Sequence, residues 1–185
     1  LDYAILMANK IEANIQMVWV DTSEQKDVLF EIQDHETRLE HKQYFEDLVE
    51  KYKDKLNKGK LSFKLRKGKV FHEIAVQAKQ DEAYLIVAGT HGVSGYEELW
   101  IGSNAYRIVT HAPCPVITLR QSLEIEDEIN TMVLPVDSTP ETLQKLPFAV
   151  SFAQIYDAQI HLLSVYPTFL ESLKHKVDSN SIKAS

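Results

Sequence analysis

Residues 84–103 read YLIVAGTHGVSGYEELWIGS. The first five form a continuous apolar run, the pattern of a strand buried on both faces. Directly after it, Gly89, Gly92, Gly95 and Gly102 gather four of the chain's six glycines into one window. Glycine tolerates positive φ and lets main-chain N–H groups approach an anion with no Cβ in the way. A helix is expected from about Ser103 to Thr110, and its first turn offers unpaired N–H donors and the positive end of the helix dipole. Strand, glycine loop and helix start together describe a phosphate cradle. The Ser103 hydroxyl has two open readings, a helix cap or a donor to a phosphate oxygen.

Before this stretch, Leu1, Ile5, Ala8 and Ile11 recur at helical spacing, and residues 15–20 (IQMVWV) read as a short buried strand. From about residue 34 to 56, Phe45, Leu48, Val49, Tyr52 and Leu56 follow an amphipathic helical pattern. Leu61, Phe63 and Leu65 alternate with polar residues as a half-buried strand does, Lys67-Gly68 ends it, and a helix runs through Ile74 and Ala78. After the glycine loop and its helix, residues 115–119 (PVITL) form another strand. The alternation predicts an α/β fold, a doubly wound, Rossmann-like parallel sheet covered by helices, with loops at the strands' carboxyl ends open to a ligand. Which doubly wound topology it is does not follow from the pattern.

Residues 146–166 can be laid over residues 1–21, Leu1 on Leu146, at a constant offset of 145. Leu1, Ala4, Ala8, Ala13, Ile15 and Val20 are then identical to Leu146, Ala149, Ala153, Ala158, Ile160 and Val165. This is an internal repeat of a helix followed by a strand. The second copy is preceded by an apolar strand, residues 131–136, and Asp137, whereas the sequence opens at Leu1, inside the first copy's helix, with something expected to have been left off before it. The expected organisation is therefore tandem: a first unit over residues 1–120 lacking its opening strand, an acidic linker over 121–130, and the front part of a second unit over 131–185. All six prolines lie after residue 112, which agrees with a boundary in the linker.

The formal net charge of −7 and the absence of a basic stripe argue against a nucleic-acid partner. One cysteine, Cys114, excludes an internal disulfide, and no apolar run approaches the roughly 18 residues that span a bilayer. The expectation is a soluble, cytoplasmic protein with no membrane partner. Cys114 reads as a small buried residue, since no helix N-terminus or neighbouring cation is evident to activate it.

Gly89-Thr90-His91-Gly92, nine further residues, then Gly102-Ser103 fits the pattern G, two residues, G, nine residues, G, then S or T. In this the chain resembles the universal stress protein family. The similarity continues through residues 103–109 (SNAYRIV), 111–116 (HAPCPV) and 133–140 (VLPVDSTP). It implies an adenine nucleotide alpha hydrolase-like fold and ATP as the ligand, with the triphosphate on Gly89, Gly92, Gly102, Ser103 and the backbone of Asn104. Val20 corresponds to the position whose main chain reads the adenine, and Asp137 to the aspartate beside the nucleoside. The first unit has no aspartate of its own at that place, so its site is complete only if the strand of Asp137 fills the vacant position, for instance from a partner chain.

His91 has two readings, a phosphate contact or a solvent-facing side chain, and Tyr96 and Trp100 either cover a ligand or pack on the sheet. Glu97 and Glu98 oppose a triphosphate unless they point outward or a divalent cation such as Mg2+ intervenes. No His, Cys or acid spacing marks a metal ligand, and no triad or base stands out as catalytic. The leading expectation is a nucleotide-binding stress-response protein that uses ATP as a regulatory ligand, with at most slow hydrolysis. The alternative is a nucleotide-free interaction module in which residues 115–119 pair at a sheet edge, as a homodimer or between the tandem units. A metal-dependent hydrolase has little support in the sequence.

Overall fold

A computed structural model of the chain describes residues 1–23, 29–90, 102–120, 128–137 and 139–164, with residues 29–37 defined by their backbone alone. The chain divides into two units, Leu1–Ile125 and Glu126–Ser185. In the first, α1 (Asp2–Ile11) buries Ile5, Met7 and Ala8 on one face. It ends where Glu12 turns left-handed (φ 54) and the Ala13 amide bonds back to the Ala8 carbonyl at 3.0 Å. β1 (Ile15–Asp21) follows.

α2 (Leu29–Tyr52) begins about five residues earlier than the apolar pattern predicts, because Leu29, Glu31 and Gln33 are good helix formers that lie outside the stripe. Its half-buried positions His41, Phe45, Leu48, Val49 and Tyr52 keep the expected spacing. The helix tightens into a 3-10 turn (Lys53–Lys55), so Leu56 is buried from beyond the helix rather than from within it. Gly59 (φ +86) then admits the chain to β2 (Leu61–Lys67), since a Cβ there would stand 2.5 Å from the Ala13 carbonyl oxygen. β1 and β2 pair in parallel, Ile15 opposite Leu61 and Asp21 opposite Lys67. Ile5, Ala8, Leu56 and Leu61 form the core beneath them, with Ala13, Ile15, Met17, Val49 and Tyr52 packed against it.

β2 alternates as expected and leads through Gly68 (φ +142) into α3 (Val70–Gln80). A polar network ties these elements together. Arg66 Nε donates to Gln77 Oε1 at 2.8 Å and its Nη2 to Gln80 Oε1 at 2.6 Å. Gln77, 2% exposed, donates on to Asp81 Oδ2 at 2.7 Å, and Gln16 of β1 reaches the same oxygen at 2.6 Å. β3 is Ile86–Gly89, two residues later at its start than the apolar run 84–88 predicts. The helix exit accounts for the shift: Glu82 is left-handed (φ 48), the Ala83 amide bonds back to the Ala78 carbonyl at 2.9 Å, and Tyr84 is left 48% exposed. α4 (Ser103–His111) packs on α3 and leads to β4 (Val116–Leu119), parallel to β3 with Ile86 opposite Val116.

In the second unit, β5 (Thr131–Pro135) and β6 (Gln159–Leu163) pair in parallel around α5 (Pro140–Tyr156), which buries Ala149, Phe152 and Ala153. The end of α5 reproduces that of α1 at the offset of the repeat: Asp157 is left-handed (φ 53) and the Ala158 amide bonds to the Ala153 carbonyl at 2.9 Å. Val165 of the repeat lies outside the described residues.

Every strand pair is parallel, as expected of an α/β fold, but the described strands form three two-stranded sheets rather than one continuous one. The strands read as fully buried are accordingly half-buried: all seven residues of β1 are intermediate, and so are Ile86, Val87 and Ala88. A two-stranded pair covers each strand on one edge only, which leaves apolar runs open.

Replacing Gln77 by Met keeps the volume and removes the hub of the Arg66 and Asp81 network. The expected loss is about 1–3 kcal/mol, the typical cost of leaving buried polar groups unpaired. It would be read as a lower midpoint with unchanged slope in urea unfolding.

Candidate functional site

The glycine loop is closed at its base by main-chain bonds. Thr90, 6% exposed, donates through its amide to the Leu119 carbonyl at 2.9 Å and through Oγ1 to the same oxygen at 3.2 Å. Its own carbonyl accepts the Gly102 amide at 3.0 Å. The end of β3, the end of β4 and the start of α4 are thus fastened at one residue. A Cβ on Gly102 would lie 2.7 Å from the Thr90 carbonyl oxygen, while φ at Gly102 is an ordinary −56. Close approach, not a left-handed backbone, is what requires glycine there.

Gly102 is the N-cap of α4 and Ser103 its first helical residue, with no side-chain cap bond. The capping role considered for Ser103 is therefore taken by a glycine one residue earlier. The first amide to bond within the helix is that of Tyr106, to the Gly102 carbonyl at 3.0 Å. The amides of Ser103, Asn104 and Ala105 precede it, at the exposed surface of Ser103 and Asn104 and with no acidic residue in the first turn. A helix end of this kind has the donors and dipole to accept an anion. Gly89, exposed at the end of β3 and opposite Leu119, adjoins it through Thr90. His91 and Gly92 lie outside the described residues, as do Tyr96, Glu97, Glu98 and Trp100.

Val20 is half-buried near the carboxyl end of β1, opposite Arg66. Ile15 and Asp21 direct their main-chain groups toward β2, so Val20, of opposite parity, directs its own away from β2. Beside it, Trp19 stacks on His41 at 4.0 Å between ring centroids, in an open cavity of about 400 Å³ lined also by Glu40, Tyr44 and Phe45. The sequence reading singled out neither ring, because their proximity depends on how α2 lies on β1.

Asp137 belongs to the second unit and is exposed. Its Oδ1 accepts three hydrogen bonds, from Thr139 Oγ1 at 2.5 Å, Thr142 Oγ1 at 2.7 Å and the Thr139 amide at 3.0 Å. These hydroxyls, that of Thr139 first, hold its pKa down to about 2. The carboxylate is thereby ionised and fixed at the start of α5. Burial pushes the half-buried Cys114 thiol up, away from nucleophilic character. Among the described residues no three His, Cys, Asp or Glu side chains are grouped to hold a metal ion. No described helix is long and apolar enough to cross a membrane.

Thr90 is the site residue that sequence reasoning missed. Its signal was a threonine placed directly after a strand-ending glycine, where a hydroxyl can bond across to the neighbouring strand's end.

Two outcomes test this geometry. Gly102→Ala forces a methyl against the Thr90 carbonyl and should cost about 1–3 kcal/mol, seen as a lower Tm. The Asp137 carboxyl should titrate near pH 2 by NMR, against 3.8 for an unperturbed aspartate. Because the folded value is the lower one, its contribution to stability is full above about 3.8 and fades as pH falls toward about 2. Thr139→Ala should move that midpoint upward.

The Universal stress protein family profile matches residues 1–120. Universal stress protein YxiE of Bacillus subtilis is 38% identical over 53 residues, covering 29% of this chain and 36% of YxiE. Universal stress protein MJ0531 of Methanocaldococcus jannaschii is 36% identical over 62 residues, 34% of this chain and 36% of that protein. The matching stretch therefore spans about a third of these relatives' length. Among solved structures, universal stress protein UspA from Lactobacillus plantarum superposes with a TM-score of 0.55 at 25% identity, over 64% of this chain and 86% of that one. A functionally unknown protein from Pseudomonas aeruginosa PAO1 shares the fold at 14% identity and a TM-score of 0.58, over 97% of this chain and 60% of its own. With the profile matched through β1, the loop-closing Thr90, α4 and β4, the chain belongs to the universal stress protein family.

Proposed function

We propose that this chain binds an adenine nucleotide, ATP, and uses it as a regulatory ligand in a stress response. The observation that carries the reading is the exposed, acid-free first turn of α4, held against Thr90 by a glycine that no other residue can replace without displacing the backbone. The amides of Ser103 and Asn104, the Ser103 hydroxyl and the Asn104 side chain are the donors for the phosphates, with Gly89 and Gly102 giving main-chain access. Val20, its main-chain groups turned away from β2, supplies the adenine contact. Family resemblance makes ATP the nucleotide, and Mg2+ the ion that would offset Glu97 and Glu98. The reading is one of binding, with at most slow hydrolysis. The repeated helix-to-strand joint supports the reading of residues 131–185 as the front of a second unit of the same family.

A second reading, an interaction module pairing through β4, is favoured by one observation. Pro115 and Leu119 direct their carbonyls to β3, so Val116 and Thr118 direct theirs outward, and no described strand pairs on that edge.

Calorimetric titration with ATP, with and without Mg2+, alongside mass spectrometry for carried-over nucleotide, tests the nucleotide reading. Saturable binding is expected, weakened roughly 2- to 13-fold in Ser103→Ala, the range for one lost hydrogen bond. It should be lost in Gly102→Val, with circular dichroism confirming that this variant folds. No heat and no carried-over nucleotide would overturn it. Val116→Lys that dissociates a dimer while leaving ATP binding intact would establish the β4 contact as a separate property.

A further inference from the structure

The sequence around the glycine loop is short of positive charge. From Gln80 through Tyr106 it holds no Lys or Arg, and that stretch includes Glu97 and Glu98. Main-chain amides and a helix dipole present only partial charges to an anion, whereas the outer phosphates of a nucleotide carry full ones. Arg107 is the first Lys or Arg past this gap, and it stands one turn into α4. At about 100° per residue it projects about 40° from Ser103 and about 60° from Asn104, between the two. Residues three and four apart on a helix are surface neighbours, and helical side chains lean toward the N-terminus. The arginine therefore shares a face with the exposed first turn, and its long stem leads back toward it.

Its guanidinium is not consumed elsewhere. Among the described residues no carboxylate and no hydrogen-bond acceptor holds it, and its contact is with a ring, Cζ lying 5.7 Å from the centroid of Phe71. Arg66, by contrast, donates to Gln77 and Gln80, Lys55 pairs with Asp2 and Lys67 with Asp21. Contact with a ring face uses none of the N–H donors of a guanidinium. The ring is itself held in place. Phe71, half-buried near the start of α3, lies 4.7 Å from the ring of His111, whose Nδ1 donates to the Arg107 carbonyl at 2.9 Å. Phe71 is thus a platform braced against α4 from Arg107 to His111, and Arg107 rests on it with its donors unspent.

We propose that Arg107 is the counter-charge for the outer phosphates of the nucleotide, with Phe71 as the positioning residue that carries the guanidinium beside the first turn of α4. In naming a nucleotide, this inference rests on the function proposed above. Guanidinium and phosphate meet bidentately, in a strong and geometrically specific kind of hydrogen bond. Ser103, Asn104 and the main chain serve the phosphate of any nucleotide, and Arg107 adds strength only where further phosphates extend along the helix. The site then grades adenine nucleotides by phosphate count. A regulatory protein with that property responds to the ratio of ATP to AMP rather than to the total of the two.

The test titrates the full chain with ATP, ADP, AMP and inorganic tripolyphosphate, without divalent ions. The unaltered chain is compared with Arg107→Gln, Arg107→Lys, Phe71→Leu and Phe71→Tyr, with circular dichroism confirming that each folds. Arg107→Gln should weaken ATP by about 13- to 160-fold, the range for a hydrogen bond to a charged group. AMP should stay within about twofold, the limit of coupling between separate contacts. Arg107→Lys, which keeps the charge and loses the fork, should recover part of the loss. Phe71→Leu should weaken ATP by about 2- to 5-fold and spare AMP, the range for an exposed contact of cation and ring, and Phe71→Tyr should restore it. ATP binding that ignores Arg107, or equal losses for ATP and AMP, would overturn this inference and leave the nucleotide reading standing. Tripolyphosphate binding that depends on Arg107, with no binding of ATP, would overturn the nucleotide reading and leave the role of the arginine. Binding of neither would overturn both.

Discussion

The hydrogen bond from the Gly102 amide to the Thr90 carbonyl is the contact around which the ends of β3 and β4 and the start of α4 are arranged. Thr90 is held by the end of β4, and Gly102 begins α4, so one buried residue fixes where a helix end points relative to two strand ends. The bond is short-range and the glycine is sterically enforced. The direction of α4's first-turn amides is therefore set by the backbone alone, and a phosphate would meet donors already oriented. Such preorganisation lowers the ordering cost of binding, which is where affinity for small anions is commonly lost.

The stabilising groups of the first unit are distributed differently. Its apolar core is small, centred on Ile5, Ala8, Leu56 and Leu61, and no large side chain among the described residues is fully buried. Much of the alignment of β1, β2 and α3 falls to the polar relay from Arg66 through Gln77 and Asp81 to Gln16. Relays of this kind are directional, so they fix the register of helix on strand where apolar contacts alone would allow sliding. Among the described residues, β1 and β4 each pair with a strand on one edge.

The sequence was most legible where a single physical constraint acts locally. The apolar stripe of α2 names the inward positions Phe45, Leu48, Val49 and Tyr52, and the glycine at 102 locates the start of α4. The repeat located a joint whose backbone angles match to a degree, at Glu12 and Asp157. Legibility fails where partners are brought together by tertiary structure. The start of β3 is displaced by the exit turn of α3, which no apolar count can register. Thr90, the Arg66 relay and the Trp19 stack on His41 are contacts between elements far apart in the chain. At Gly102 the residue type was informative but its physical reason was not, since a glycine chosen for close approach looks the same as one chosen for positive φ.

The parallel pairing of β1 with β2 also bears on the order of events during synthesis. Asn14 receives the Lys60 amide across 46 residues of chain, so the pairing of β1 with β2 waits until β2 has left the ribosome. At about 5–20 residues per second, that separation corresponds to roughly 2–9 s. During this interval α1 and much of α2 can form locally, while the edge of β1 that β2 will cover stays bare. An apolar strand of the sequence IQMVWV, waiting in that state, is the segment of this chain that a nascent-chain chaperone has most reason to cover.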